Sequence, residues 1–427
     1  MSLLYLLLFV TPFHSDPRLG TVLLEAGGMV ITPIKILGLL TTAVALVAPI
    51  PQDAAPHLRS PLVALFLPFA IVPVLATAAY GLPTPTGAIS QLISAGLLFV
   101  AIVPLVRTRE RIFKVARTLV IAFAFGSLWV YKQHFIEHAP TSWGLEGEPN
   151  YEALMLLLSL PLAFWMARYE ESRFWRRIGL LCGLLLACAI ILTSSRAGVI
   201  AEGIIGLALV AKSRHKLTGM LGLALAALVL FTSGPSELLY KFKSIKFVGK
   251  PLNGSESSTR IHVELDKAGL RIMEAHPIFG VGLGHFKEVA PDYNPQILKL
   301  AHRSWLAHDT FIQIGSEAGI PALLLFLAML GVSISNFRSA RESPDVALAG
   351  LASSMQISLI GVCVAALSIS VETLPFWIIM FLSQSFREIA VASAQRAAFH
   401  GESRVNAKSA SLGSIHLDHQ LKASAWL

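Results

Sequence analysis

The sequence predicts an all-α polytopic membrane protein of about 12 transmembrane helices, with one large external, periplasmic loop that itself contains helices. Three observations predict this. Hydrophobic residues make up 54% of the 427 residues and charged residues only 14%, whereas soluble domains carry roughly 25% charged residues. The apolar residues fall in long runs and not in strict alternation. Basic residues gather in every second connection between those runs, the bias expected of cytoplasmic loops.

The runs lie at 2–13, 28–50, 61–80, 88–106, 112–131, 152–167, 176–193, 197–211, 216–232, 318–337, 345–370 and 375–390. A spanning helix needs about 20 residues, with a range near 17 to 25. Several runs are shorter, which predicts tilted or broken helices. Backbone N–H and C=O groups in hydrocarbon must be satisfied within the chain, so the spans are helices. The first run, Met1 to Val10, has no basic stretch before it and no small-residue cleavage site. It reads as a short first helix and not as a removable leader.

Loop charge sets the orientation. Arg107, Arg109, Arg111, Lys114 and Arg117 fall between two runs; Arg168, Arg173, Arg176 and Arg177 fall two runs later; Lys212, Arg214 and Lys216 follow after two more. Arg338 and Arg341 mark another short connection, and Arg387 begins the tail. The 132–150 connection is acidic instead, with Glu137, Glu146 and Glu148. The alternation predicts basic loops and both termini in the cytoplasm, in a multi-pass protein of the inner membrane. Residues 1–390 then form the membrane domain, with 233–308 inserted as the periplasmic loop and 391–427 as a cytoplasmic, disordered tail. The ten Lys and Arg of the long loop do not oppose this, because loops beyond about 60 residues cross largely regardless of charge. The same bias accounts for the net charge of +8, and no nucleic-acid partner is expected. Cys182, Cys188 and Cys363 lie inside apolar runs, without a disulfide framework or zinc spacing.

Chemistry is expected in the long polar interval from about His262 to Pro321 and at 193–198, the outer junction of two apolar runs. Residues 259–275 read as an amphipathic helix with Ile261, Leu265, Ala268 and Ile272 as its apolar stripe. Arg260, Glu264, Lys267 and Arg271 form a neighbouring stripe. Ser257, Ser258 or Thr259 could cap this helix, and it should end before His276-Pro277. A second helix should start at Asp309 and run to Gly319, with Pro321 opening the next span. Arg196, in Thr193-Ser194-Ser195-Arg196-Ala197-Gly198, is either a functional cation or an interfacial arginine reaching for water. Arg260 and Arg271 are either a phosphate clamp or a solvated helix face. His308 is either a base working near neutral pH or a structural loop residue. His262, His276, His285, His302 and His308 lack the spacing of a zinc site, so no metal is expected. The Gly280-Val281-Gly282-Leu283-Gly284 run lacks a dinucleotide fingerprint and reads as a tight turn or a close approach to the bilayer.

In this order the elements resemble the O-antigen ligase and polymerase family of bacterial envelope glycosyltransferases. Ser194-Ser195-Arg196-Ala197-Gly198 carries the likeness, with Arg260 and the helix leading into His276-Pro277-Ile278-Phe279-Gly280-Val281-Gly282. So do His308-Asp309-Thr310-Phe311-Ile312-Gln313 with Glu317-Ala318-Gly319-Ile320, and Glu148-Pro149-Asn150 upstream. The resemblance implies a metal-independent enzyme without cofactors. It would move a glycan from an undecaprenyl-diphosphate donor to a hydroxyl of lipid A-core, a glycan or a protein. It implies Arg196 and Arg260 at the diphosphate and His308 as base, with Asp309, Glu317 and Arg271 in support. The family usually has Asn where this chain has Asp309. Two other classes fit the composition: a transporter of lipid-linked substrates using intramembrane Glu202, and an envelope scaffold whose loop binds a partner. A transporter places its polar site near the midplane, whereas these residues gather at the outer ends of the runs.

Overall fold

The computed structural model describes the chain except residues 14–21, 27–28, 53, 57, 83–85, 146, 245–254, 302–304, 370–375 and 398–427. The described residues are overwhelmingly helical. An antiparallel hairpin, β1 (Leu24–Ala26) and β2 (Met29–Ile31), joins α1 (Ser2–Val10) to α2 (Pro33–Val47). Then follow α3 (Pro61–Ala79), α4 (Thr86–Leu105), α5 (Arg109–Phe135), α6 (Pro149–Tyr169), α7 (Arg173–Leu192), α8 (Arg196–Ala211) and α9 (Lys216–Ser233). The long polar interval folds as α10 (Ser236–Ser244), α11 (Ser255–Ala275), α12 (Phe286–Tyr293) and α13 (Gln296–Ala301). The chain ends in α14 (Thr310–Ala340), α15 (Val346–Ala365) and α16 (376–397).

The apolar runs become helices, but among the described residues the expected count of about 12 membrane-length spans is not reached. Seven described helices are long and apolar enough to cross a membrane, or eight if α9 and the sharply bent α10 form one broken span. The reason is length and polarity. α1 and α2 are short, α8 has 16 residues, and α16 carries Gln384, Arg387 and Glu388 in its interior. α16 also continues to 397, into the segment expected to be a tail; the rest of that tail lies outside the described residues.

The basic connections meet at one end of the bundle. Arg109 pairs with Asp345 and, at 3.5 Å, with Glu171, which joins the α4–α5, α6–α7 and α14–α15 connections. Arg117 donates to Glu170 at 2.7 Å, and Lys212 donates to Ser353 at 2.6 Å. At the same end the Arg107 guanidinium donates to the Ala55 carbonyl. Within the bundle, Trp165 and Phe113 pack edge to face between α6 and α5. Phe66 and Phe69 of α3, Phe326 of α14, and Trp377 and Phe381 of α16 form a continuous aromatic cluster.

The polar interval has its own small core of Leu265, Ala268, Ile272, Val281, Phe286, Ala290, Ile297 and Ala307. The amphipathic helix is therefore present, with Leu265, Ala268 and Ile272 of the expected stripe buried and Ile261 half-buried. It begins at Ser255, earlier than the expected cap, and ends at Ala275 before the His-Pro pair. α14 starts at Asp309, whose side chain caps it, and breaks at Gly319 (φ 85°, ψ 168°) just before Pro321. The glycine-rich turn docks on that break rather than on the bilayer. Val281 N–H donates to Ser316 O (2.9 Å), Gly282 N–H to Glu317 O (3.0 Å) and Ile320 N–H to Pro277 O (2.8 Å). The Glu317 carboxylate accepts from Gly284 N–H at 2.8 Å and Phe286 N–H at 3.1 Å. Leu283 N–H donates to Thr77 Oγ1 at 2.8 Å, which ties the turn to α3.

Backbone meets backbone here, so two glycines are obligatory. A Cβ on Gly319 would lie 2.1 Å from Ile278 O, and one on Gly280 would lie 2.4 Å from the Glu317 carbonyl carbon. Both have positive φ. Gly319→Ala should therefore cost more than about 2 kcal/mol, from strain and overlap together. Gly331→Ala, in the same helix with nothing within 4 Å of the new methyl, should be neutral or stabilise by up to about 1 kcal/mol. Thermal unfolding of the detergent-solubilised variants measures the difference.

Candidate active site

Three helix N-termini form the site end. α6 begins at Glu148, whose Oε2 accepts the Tyr151 N–H (2.8 Å) while Oε1 accepts from Asn150 Nδ2 (2.8 Å). α8 begins at Ser195, whose Oγ accepts the Gly198 N–H at 3.1 Å and donates to Asn150 Oδ1 at 2.6 Å. α14 begins at Asp309, whose Oδ1 accepts the N–H groups of Phe311 (2.8 Å) and Ile312 (2.9 Å). Asn150 thus bridges the caps of α6 and α8. Gly198 lets these helices close up, since a Cβ there would lie 2.5 Å from the Ala153 methyl. Helix N-termini carry partial positive charge, so the arrangement favours an anion in front of them.

The α7–α8 turn aims a cation at this place. Thr193, Ser194 and Ser195 are buried, and Ser194 takes the left-handed conformation (φ 57°). That reversal leaves Arg196, the first residue of α8, half-buried beside α10. Its Nη1 donates to Lys241 O at 3.4 Å. Lys241 Nζ in turn donates to Ser194 O at 3.3 Å and lies 3.8 Å from Glu237. Two cations therefore share the site.

Facing them is a pair of imidazoles. The rings of His262, from α11, and His308, before the α14 cap, are stacked with centroids 4.3 Å apart and planes 7° apart. Trp305 lies 6.1 Å from His308, tilted by 42°. Burial holds the His308 ring below the usual histidine range. Burial first, then His308 and the charge of Arg196, push His262 down to about 4. Both rings are neutral near pH 7, and Arg196 is near enough for its charge to be felt by His262.

One helical turn beyond His262, burial and then the neighbouring charge of Asp309 push the Asp266 carboxyl up to about 7. Its Oδ1 is buried without a hydrogen-bond partner among the described residues. Burial also raises Asp309, against the lowering effect of its two cap N–H donors. Glu148 is raised by burial, again offset by the groups it caps.

The structure brings Arg196 and His308 to one place. Arg260 keeps an exposed side chain on α11, two residues before His262; two residues turn a helix by about 200°, so they point to different faces. Arg271 donates to the Tyr293 carbonyl at 2.8 Å and braces α12. Glu317 holds the docked turn. Three residues of the site carried no clear signal in the sequence. His262 and Asp266 sit four apart beside the apolar stripe, a spacing that marks one shared face, but only the packing of α11 on α14 shows what that face meets. Lys241 lies on a short helix that periodicity does not distinguish. Among the described residues no group of three or more His, Cys, Asp or Glu could hold a metal ion.

Residues 181–327 match the family described as O-Antigen ligase. The match starts inside α7 and ends in α14 beyond the Gly319 break. It therefore contains the Arg196 turn, both imidazoles and the docked glycine turn in one continuous stretch. Over these residues the chain is similar to the O-antigen ligase family. No curated protein matches the chain. The matched segment is set in a helical bundle with several membrane-length spans, which together point to a multi-pass membrane protein linked to polysaccharide biosynthesis.

The raised Asp266 gives a pH signature. Below 3.8, the ordinary value, the carboxyl is protonated folded or unfolded and adds nothing. As pH rises towards about 7 the unfolded chain ionises while the folded one does not, so stability falls across that window and then levels off. Asp266→Asn removes this loss. Its melting temperature relative to the unmodified protein should rise between pH 4 and pH 7 and stay level above, as read by thermal unfolding across pH.

Proposed function

We propose that this chain transfers a glycan from an undecaprenyl-diphosphate donor to an acceptor hydroxyl, on the outer face of the inner membrane. The observation that carries the reading is that Arg196 lies close to His262, whose ring stacks on the neutral His308, at the end of the bundle opposite the basic connections. A neutral, desolvated imidazole accepts a proton; a cation in front of three helix N-termini holds a diphosphate. In the proposed step the acceptor oxygen attacks the anomeric carbon as His308 takes its proton. The bond from that carbon to the diphosphate oxygen breaks, and the electron pair leaves with the diphosphate. Arg196 and Lys241 stabilise the charge that develops there. Arg260, at the exposed start of α11, completes the clamp when the donor is bound. No metal or cofactor takes part. The acceptor is lipid A-core, a growing glycan or a protein; a polymerase of the same family would run the same step on a glycan acceptor.

Turnover of a lipid-diphosphate glycan in nanodiscs tests the roles. His308→Ala should lose roughly a hundredfold to ten-thousandfold in rate while binding the donor normally. Arg196→Ala should weaken donor binding, by about 1.5–3 kcal/mol for a charge-assisted hydrogen bond. Arg260→Lys should restore only part of what Arg260→Ala loses, because an ammonium keeps the charge without the fork. Excess chelator should leave turnover unchanged. Normal turnover by a well-folded His308→Ala would remove the histidine from the mechanism.

The orientation is tested separately. In a background without Cys182, Cys188 and Cys363, a cysteine at Lys287 should react with an impermeant thiol reagent in intact spheroplasts. One at Arg214 should react only after lysis. The reverse pattern would put the site in the cytoplasm.

A further inference from the structure

We propose that His262 is a positioning residue for the base: its ring is the flat platform that fixes the plane of the His308 imidazole. The proposal rests on the reading of His308 as the base.

The geometry carries it. The two rings are parallel to within 7° at 4.3 Å, a separation at which one ring defines the plane of the other. His308 needs such a support because its own backbone offers little. It lies at φ 33°, outside the favoured regions for a residue with a Cβ. It also stands outside α14, one residue before the cap. His262, in contrast, is on a helix whose position is fixed at several heights. Leu265, Ala268 and Ile272 are fully buried below it. Gly269 leaves no room for a methyl against Ile312, and Gly315 none against Met273. The pairs 262/308, 269/312 and 273/315 are one register of α11 on α14, and the docked glycine turn locks it. His262 thus transmits the position of a rigid helix to a side chain on a strained loop.

Its charge state suits this part. The groups that bear on His262 are His308 beside it and Arg196 from α8, with Asp266 one turn along its own helix. With His308 and Arg196 both adding to burial, the His262 ring stays neutral near pH 7. It neither repels the imidazolium formed on His308 nor competes for the acceptor's proton.

The test compares His262→Ala, His262→Phe and His308→Ala in nanodiscs with a lipid-diphosphate glycan donor. Phenylalanine keeps a flat ring and has no nitrogen. The expected result is a kcat loss of about tenfold to a hundredfold for His262→Ala, the scale of a misplaced catalytic group, with KM for the donor unchanged. His262→Phe should retain kcat to within a few-fold. In His262→Ala the acid limb of the rate profile should move up towards 6.5, the ordinary histidine value, as His308 becomes wetter; in His262→Phe it should stay low. If His262→Phe is as impaired as His262→Ala, the ring nitrogen is needed and the platform is refuted in favour of a proton relay or a ligand contact. Unchanged kcat in His262→Ala also overturns it. A rise in KM alone for both would assign His262 to donor binding. His308→Ala separates the two levels: if that variant is active, the base assignment itself fails.

Discussion

The docking of the Gly280–Gly284 turn on the broken α14 is the constraint from which the site follows. Helices α11 and α14 are far apart in the chain and share only a narrow contact face. Their relative height is set where the turn's N–H groups find the carbonyls of Ser316 and Glu317 and the carbonyl of Pro277 finds Ile320. Those carbonyls are open because Gly319 leaves the helix and Pro321 has no N–H to offer. Glu317 then closes the account by taking two further N–H groups from the turn. A slip of one residue on α11 would rotate that helix by about 100° and carry His262 off His308. The break in α14 is thus the reference point for the imidazole pair, about three turns away.

The opposite half of the site depends on a second junction of the same kind. Asn150 joins the start of α6 to the start of α8 through two side-chain hydrogen bonds, and Gly198 allows the helices to meet. With Ser194 reversed, the chain turns from α7 into α8 within three residues and presents Arg196 forward. His308 and Arg196 therefore stand on separate frames: α11–α14 carries one, α6–α8 the other. In the proposed mechanism a donor that bridges them would be held at its diphosphate by one frame while the other meets the acceptor. This division suits transfer between two lipid-anchored or bulky partners, since neither has to pass the other to reach its group.

Much of this was legible in the sequence wherever one residue type has one local meaning. Asp309 as a cap, Gly319-Pro321 as a break, the Leu265–Ala268–Ile272 stripe and the basic connections gathered at one end all rest on local rules, and all are found. Arg196 and His308 stood out through the resemblance to the O-antigen ligase and polymerase family; residue type and position alone left a structural reading open for both. The span count was less legible: hydropathy registers α1, α2, α8 and α16 as runs, while their helix lengths or interior polar groups set them apart from the seven membrane-length helices. The glycine turn was legible as a turn but not as a dock, because its partner lies more than thirty residues on. His262 was legible only as one of five histidines without metal spacing, and Lys241 not at all. Their meaning comes from the faces that packing brings together.

Asp309 shows how local and tertiary roles combine at one position. The family pattern has Asn there, and the cap explains why either residue serves: a single side-chain oxygen accepts both N–H groups. The acid adds a charge that the amide lacks. That charge is stabilised by the α14 N-terminus, and it raises Asp266 on the facing helix. Burial comes first at both carboxyls, and at Asp266 the charge of Asp309 adds to it. At His308 burial alone holds the ring below the usual histidine range. The acid at 309 therefore acts on the facing carboxyl of Asp266, while the imidazole beside it is lowered by its own desolvation.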